Sequence, residues 1–254
     1  MLTIEGPDAL AFAQSQLTSN ITQLTTGGWQ WSSWLSAKGR VIAVFALLKE
    51  SEERLLLFLP DHPATTLAPQ LARFVLRRKA KVTAAEALDV IAGFGGVRPA
   101  GALELGDAPD RWISAGPAGA CAPADAAFER AWLLADIRLG LPRLDAEGGQ
   151  HTAHMLSLDL LGALSLDKGC YPGQEIVART HYLGQSRRRL TRLRTEHGVD
   201  AARGSAVLRN GSVAGELLCI ATDAAGGCEL QCVLAEGDDS GELALGDGTR
   251  LART

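Results

Sequence analysis

The sequence predicts a chain of mixed helices and strands that ends in a small antiparallel sheet or barrel. Apolar residues recur at helical spacing in three stretches, near residues 8–16, 65–79 and 124–135. Between the first two, runs rich in Trp, Val, Ile, Leu and Phe are broken by glycines, as strands joined by turns are. From residue 186 onward, short apolar runs are divided by Asn210-Gly211, Gly226-Gly227, Gly237-Asp238-Asp239 and Gly246-Asp247-Gly248. That spacing corresponds to about six short strands.

Taken in order, Asp8 is placed to cap a helix through Ala9, Phe12, Ala13 and Gln16. Gly27-Gly28 then breaks the chain, and WQWSSWLSAKGRVIAVFALL reads as two strands joined at Ala37-Lys38-Gly39. Trp29 and Trp31 alternate with polar residues, which predicts one wet and one dry face. ERLLLFL, residues 53–59, predicts another strand. Thr65–Lys79 predicts a helix with Leu67, Leu71, Phe74, Val75 and Leu76 on its apolar side. RWIS at 111–114 is a short strand, and the helix from Ala124 is stopped by Gly140 and Pro142. The run MLSLDLLGALSL has no secure assignment.

The chain has 254 residues, 46% apolar and 21% charged, with a formal charge of −4. That balance argues against a general polyanion binder while leaving local basic patches open. No apolar run approaches the ~20 residues of a membrane-spanning helix. The start, MLTIEGPDALAFAQ, lacks the basic residues and apolar core of a secretion signal, so the expected location is the cytoplasm. Five scattered cysteines include no C-x-x-C pair, which argues against zinc knuckles and dithiol redox chemistry. Cys228 and Cys232 are expected to pack as small hydrophobes.

The most unusual stretch is DKGCYPGQEIVARTHY, residues 167–182. Cys170 follows Gly169 and precedes Pro172 and Gly173, ahead of an expected helix through Ile176, Val177 and Thr180. Pro172 suits a first helical position, and the glycines allow close backbone approach. A thiol near a helix start with Lys168 nearby is favoured as thiolate, which fits a reactive or ligating cysteine; Glu175 opposes that effect. A cysteine that merely fills a tight turn is the alternative. A Cys–His nucleophile would need His154 or His181 as base, and nothing in the spacing brings either to the sulfur.

K-G-C-Y-x-G-Q-E-x-x-x-R, spelled by Lys168 to Arg179, resembles the signature of the YgfZ-type folate-binding proteins, relatives of the glycine cleavage T protein. DALAFAQSQLTSNI resembles the family's amino-terminal helix with its Q-x-T element. WLSAKGRVIAVFAL resembles its strand–turn–strand, RFVLRRKAKV its basic helix end, and AWLLADIRLGLPRLD the segment before its central loop.

The resemblance implies an α+β fold: two intertwined α+β domains around a central folate-binding channel, plus a small C-terminal antiparallel β-barrel. On that basis residues 1–185 form the folate-binding region and 186–254 the barrel. The implied cofactor is tetrahydrofolate or a derivative. The implied site comprises Cys170 as functional thiol, with Trp132, Lys168, Gly169, Tyr171, Gly173, Gln174, Glu175 and Arg179 toward the folate. The implied function is an accessory one, supporting assembly or repair of iron–sulfur enzymes and through them the methylthiolation of tRNA. A folate-dependent aminomethyl- or methyltransferase is the alternative. Partners would be those client enzymes or assembly factors, and tRNA through Arg187, Arg188, Arg189, Arg192 and Arg194. Two departures stand out. Arg138 replaces the acidic residue that the T protein carries before its small-residue-Gly turn, and His154 and Ser157 replace Gln and Asn.

Overall fold

The computed structural model describes residues 1–106, 110–145, 148–184, 186–237 and 241–254. Asp238 and Asp239 of the third expected turn lie outside the described residues. The chain divides into two compact units. The first comprises Met1–Pro123, Asp145–Gln150 and Gly162–Ala178; the second comprises Ala124–Leu144, His151–Leu161 and Arg179–Thr254.

In the first unit, β1 (Leu2–Glu5) leads into α1 (Ala9–Gln16), followed by β2 (Trp29–Leu35), β3 (Val41–Ser51) and β4 (Arg54–Phe58). After α2 (Ala64–Ala72) comes β5 (Lys81–Ala84). These strands form an antiparallel five-stranded sheet in the order β2-β3-β4-β1-β5. Its longest strand, β3, lies between β2 and β4 and is buried along most of its length, as its continuous apolar run requires. Phe12 of α1 and Leu67 and Leu71 of α2 join Ile4, Phe45 and Leu57 of the sheet in one core. A second small sheet, ordered β6-β8-β7, is built from β6 (Leu88–Phe94), β7 (Leu103–Glu104) and β8 (Arg111–Pro117).

Three local expectations are corrected here. Asp8 makes no side-chain cap on α1; its Oδ2 accepts instead from the Lys79 backbone N–H at 2.6 Å, tying the helix start to the segment before β5. The second helix ends at Ala72, with Leu76 at φ 52° and 87% exposed and Phe74 also exposed. Apolar spacing alone extended it too far, because Leu76 stays in solvent and Phe74 only edges against Trp34 at the rim of the core. Strand β2 shows no wet and dry alternation: Trp29 and Trp31 are half-buried and meet edge to face at 5.5 Å, whereas Ser32 and Ser33 are both buried. The serine hydroxyls find polar partners, which removes the cost of enclosing them.

In the second unit, α3 (Ala126–Leu139) carries both end signals of a well-bounded helix. The Asp125 carboxylate accepts from the Phe128 N–H at 2.7 Å, and Gly140 at φ 78° closes the other end. Helix α4 (Gln174–Leu183) follows, its first half in the first unit and its second half in this one. The remaining strands are β9 (Arg188–Thr195), β10 (Ala206–Arg209), β11 (Ser212–Thr222), β12 (Cys228–Ala235), β13 (Leu243–Leu245) and β14 (Arg250–Arg253). They close into a barrel ordered β10-β11-β12-β9-β14-β13, as the turn spacing anticipates. Leu193 faces Leu230 across the β9–β12 pair, and both point into a core that includes Cys228 and Cys232. Burial pushes the Cys232 thiol up to about 12, so it stays protonated and acts as a hydrophobe.

Asp136 of α3 is 0% exposed and accepts from Arg143 Nη1 at 2.7 Å. Arg143→Met is expected to leave that carboxylate without its guanidinium and to lower unfolding free energy by roughly 3 kcal/mol. Urea denaturation of the two proteins measures this.

Candidate functional site

The signature stretch begins as a loop without helix or strand and enters α4 only at Gln174. Pro172 therefore lies two residues outside the helix rather than in its first turn, because Gly173 takes φ +79°, which a right-handed turn does not allow. Gly173 has a second reason to lack a side chain. A Cβ there would lie 2.7 Å from the Gly39 Cα and 2.7 Å from the Ser36 carbonyl oxygen. Gly39, at φ +70°, stands in the reciprocal position, where a Cβ would meet Ile176 Cβ at 2.8 Å. The Lys38-Gly39-Arg40 turn and the start of α4 thus meet backbone on backbone.

Behind this contact lies a polar socket. Lys168 Nζ donates to the Leu17 carbonyl at 2.6 Å and the Ser19 carbonyl at 2.8 Å, just past the C-terminal end of α1. A cation is well placed there, since the helix dipole is negative at that end. The same ammonium stands 5.2 Å from the centre of the Tyr171 ring. Burial away from water lowers the Lys168 pKa to about 8. Thr18 completes the socket: its hydroxyl donates to the Ala163 carbonyl at 2.7 Å and accepts from the Ser33 N–H at 2.9 Å. Its carbonyl accepts from the Ser165 N–H at 2.9 Å. Ser19 Oγ meets Ser32 Oγ at 2.7 Å and accepts from Gln30 Nε2 at 2.8 Å.

The residues singled out in the sequence therefore divide by direction. Lys168 and Gly173 are half-buried, and Tyr171 is 5% exposed with a hydroxyl that has no hydrogen-bond partner. Burial raises the Tyr171 phenol to about 12. Gly169, Cys170, Glu175 and Arg179 are exposed. Gln174 reaches the Lys168 carbonyl only at 3.5 Å. Cys170 stands four residues before Gln174, outside the first turn, where a helix dipole is felt most.

In the second unit, Trp132 is half-buried on α3 and stacks on Phe128 one turn earlier, with ring centroids 5.6 Å apart. The arginine run is not uniformly solvated. Arg189 pairs with Asp159 at 2.7 Å and with Glu236 at 3.2 Å. Arg192 Nε donates to Thr254 Oγ1 and lies 3.8 Å from Glu229. Arg187, Arg188 and Arg194 are exposed. Arg138 donates through Nε to Glu229 at 2.8 Å. His154 is enclosed, its Nε2 without a hydrogen-bond partner, and burial lowers its pKa. Sequence reasoning missed the Thr18–Ser33 and Ser19–Ser32 contacts, for which no local signal exists. Among the described residues no group of three His, Cys, Asp or Glu could hold a metal, and no helix is long and apolar enough to cross a membrane.

Lys168 gives the socket a measurable pH signature. Its pKa is lower in the folded protein than the ordinary value near 10.4 of an unfolded chain. Between about pH 8 and pH 10.4 the unfolded chain binds more protons, so the Lys168 contribution to stability rises with pH across that window. Wild type minus Lys168→Met unfolding free energy, measured at pH 7.5 and 9.5, is expected to shift in favour of wild type at the higher pH.

The chain is 27% identical over 273 aligned residues to the tRNA-modifying protein YgfZ of Colwellia psychrerythraea, covering 94% of this chain and 83% of that one. It is 29% identical to the tRNA-modifying protein YgfZ of Edwardsiella ictaluri, covering 92% of this chain and 81% of that one. No protein-family model matches. The glycine cleavage system aminomethyltransferase T of Bartonella henselae superposes with a TM-score of 0.72 over 98% of this chain and 80% of its own, at 16% identity. The resemblance read from the Lys168–Arg179 signature is borne out: the chain is a sequence relative of the YgfZ proteins, built on the aminomethyltransferase T fold.

Proposed function

We propose that this protein is a tetrahydrofolate-binding accessory factor of tRNA modification, with Cys170 as its functional thiol. In this reading it supports the assembly or repair of iron–sulfur enzymes that methylthiolate tRNA. The names of its relatives and the fold it shares with an aminomethyltransferase support the coarser part, a folate-binding factor in tRNA modification. The observation that carries the finer part is the split within the signature loop. Lys168, Tyr171 and Gly173 anchor it, while Cys170 between them is exposed. A cysteine kept only for packing is normally buried.

The residues fit a reduced folate. The Tyr171 hydroxyl is buried with no hydrogen-bond partner, and among the described residues no carboxylate pairs with Lys168. Such groups suit the polar edge of a pterin or a glutamate carboxylate. The stacked Phe128 and Trp132 rings offer a flat apolar surface of the kind an aromatic ligand requires. Gly169, Gln174, Glu175 and Arg179 complete the proposed contact set. A reduced folate supplies a carrier for a one-carbon unit. Turnover as a transferase is the weaker reading, because Arg138 stands where the T protein has an acid and is engaged with Glu229. Any tRNA contact falls to Arg187, Arg188 and Arg194, which are exposed, since Arg189 pairs with Asp159 and Arg192 is half-buried.

Cys170→Ala is expected to keep the wild-type melting temperature yet to leave tRNA methylthiolation unrestored in cells lacking the protein; full rescue would return the residue to a packing role. Trp132→Phe is expected to weaken tetrahydrofolate binding several-fold in calorimetric titration. Equal affinity would remove Trp132 from the site.

A further inference from the structure

The second unit contains a cavity of about 360 Å³ between the end of α3, the 157–161 turn and the outer faces of β9 and β12. Its volume is in the range of small-molecule sites. None of the loop residues 168–175 lines it, and neither does Trp132. Its walls are aliphatic, from Ile137, Leu161 and Leu190, and its polar side chains include Arg138, Arg192, Ser157 and Thr254, whose hydroxyl is engaged by Arg192 Nε. Gln231 also lines it but is engaged with the Leu141 carbonyl at 2.9 Å.

Ser157 is the feature the fold leaves unexplained. It is 7% exposed, its hydroxyl has no hydrogen-bond partner, and its backbone lies at φ 52°, in the left-handed region. The turn itself is satisfied, since the Ser157 N–H donates to His154 and its carbonyl accepts from Leu160. The side chain is thus surplus to the turn and belongs to a residue of the cavity wall, and its one torsion sets whether the enclosed hydroxyl faces the cavity. Charge points the same way. Arg138 and Arg192 both approach one carboxylate, Glu229, at 2.8 and 3.8 Å. Asp223 acts on Arg138 from farther off and is held within its own turn by the Ala225 and Gly227 N–H groups. Arg192 uses Nε toward Thr254, which leaves its terminal fork for a ligand.

We propose that this cavity binds a small monoanionic carboxylate with an apolar body. The carboxylate pairs with the Arg192 fork and the Ser157 hydroxyl, and the body lies against Ile137, Leu161 and Leu190. The inference does not rest on the folate reading.

The probe is sodium 2-naphthoate, titrated into the isotope-labelled full chain and followed by amide NMR, with uncharged 2-naphthamide as comparison. Saturable shifts are expected in residues 137–140, 157–161 and 190–192, with 2-naphthamide about tenfold weaker or worse. Arg192→Gln is expected to weaken naphthoate about tenfold, and Ser157→Gly to weaken it several-fold while relaxing the left-handed backbone and preserving the melting temperature. Absence of saturable shifts, shifts confined elsewhere, equal binding of the amide, or wild-type affinity in both variants would each overturn the proposal.

Discussion

The contact between Gly39 and Gly173 sets the geometry of the signature loop. Both residues take backbone angles that favour glycine, and a Cβ would strike Gly39 and Ser36 from position 173 and Ile176 from position 39. The turn between β2 and β3 thereby becomes the platform on which α4 starts. Because β3 is an interior, mostly buried strand of the five-stranded sheet, that platform is tied directly to the packed core. A chain segment with no regular structure of its own acquires a defined path by leaning on one that has.

Lys168 and Thr18 extend that path toward α1. An ammonium half-removed from water is costly unless it is hydrogen-bonded, and two carbonyls beyond the end of α1 supply the bonds. Thr18 uses its hydroxyl and its carbonyl together on Ala163 and Ser165. The loop is therefore gripped at 163, 165, 168 and 173, and Cys170 lies outward between the last two grips. Exposure of the sulfur is a consequence of how its neighbours are bound, not of its own preference, since free cysteine usually packs inward.

The second unit works by a different balance. Its barrel core is apolar, with Leu193, Leu230, Cys228 and Cys232 inside. Charge gathers on the outer face, where Glu229 draws in Arg138 and Arg192. The replacement of an acid by Arg138 is thus accommodated by Glu229, ninety-one residues away in sequence. Two of the five arginines of the run, Arg189 and Arg192, are bound to protein carboxylates and a hydroxyl.

The sequence by itself determined the element types, the barrel and the signature. Turn residues, apolar period and helix-end signals such as Gly140 and Pro142 are local, and local chemistry is written in neighbouring letters. It carried α2 too far and gave β2 two faces, because spacing does not say which apolar side chains find a core or which serines find partners. The tertiary structure alone decided that Gly39 meets Gly173, that Lys168 reaches past α1, and that Cys170 faces outward while Ser157 does not. Those outcomes depend on contacts between residues more than a hundred positions apart, and on the need of each enclosed polar group for a partner that no local pattern names.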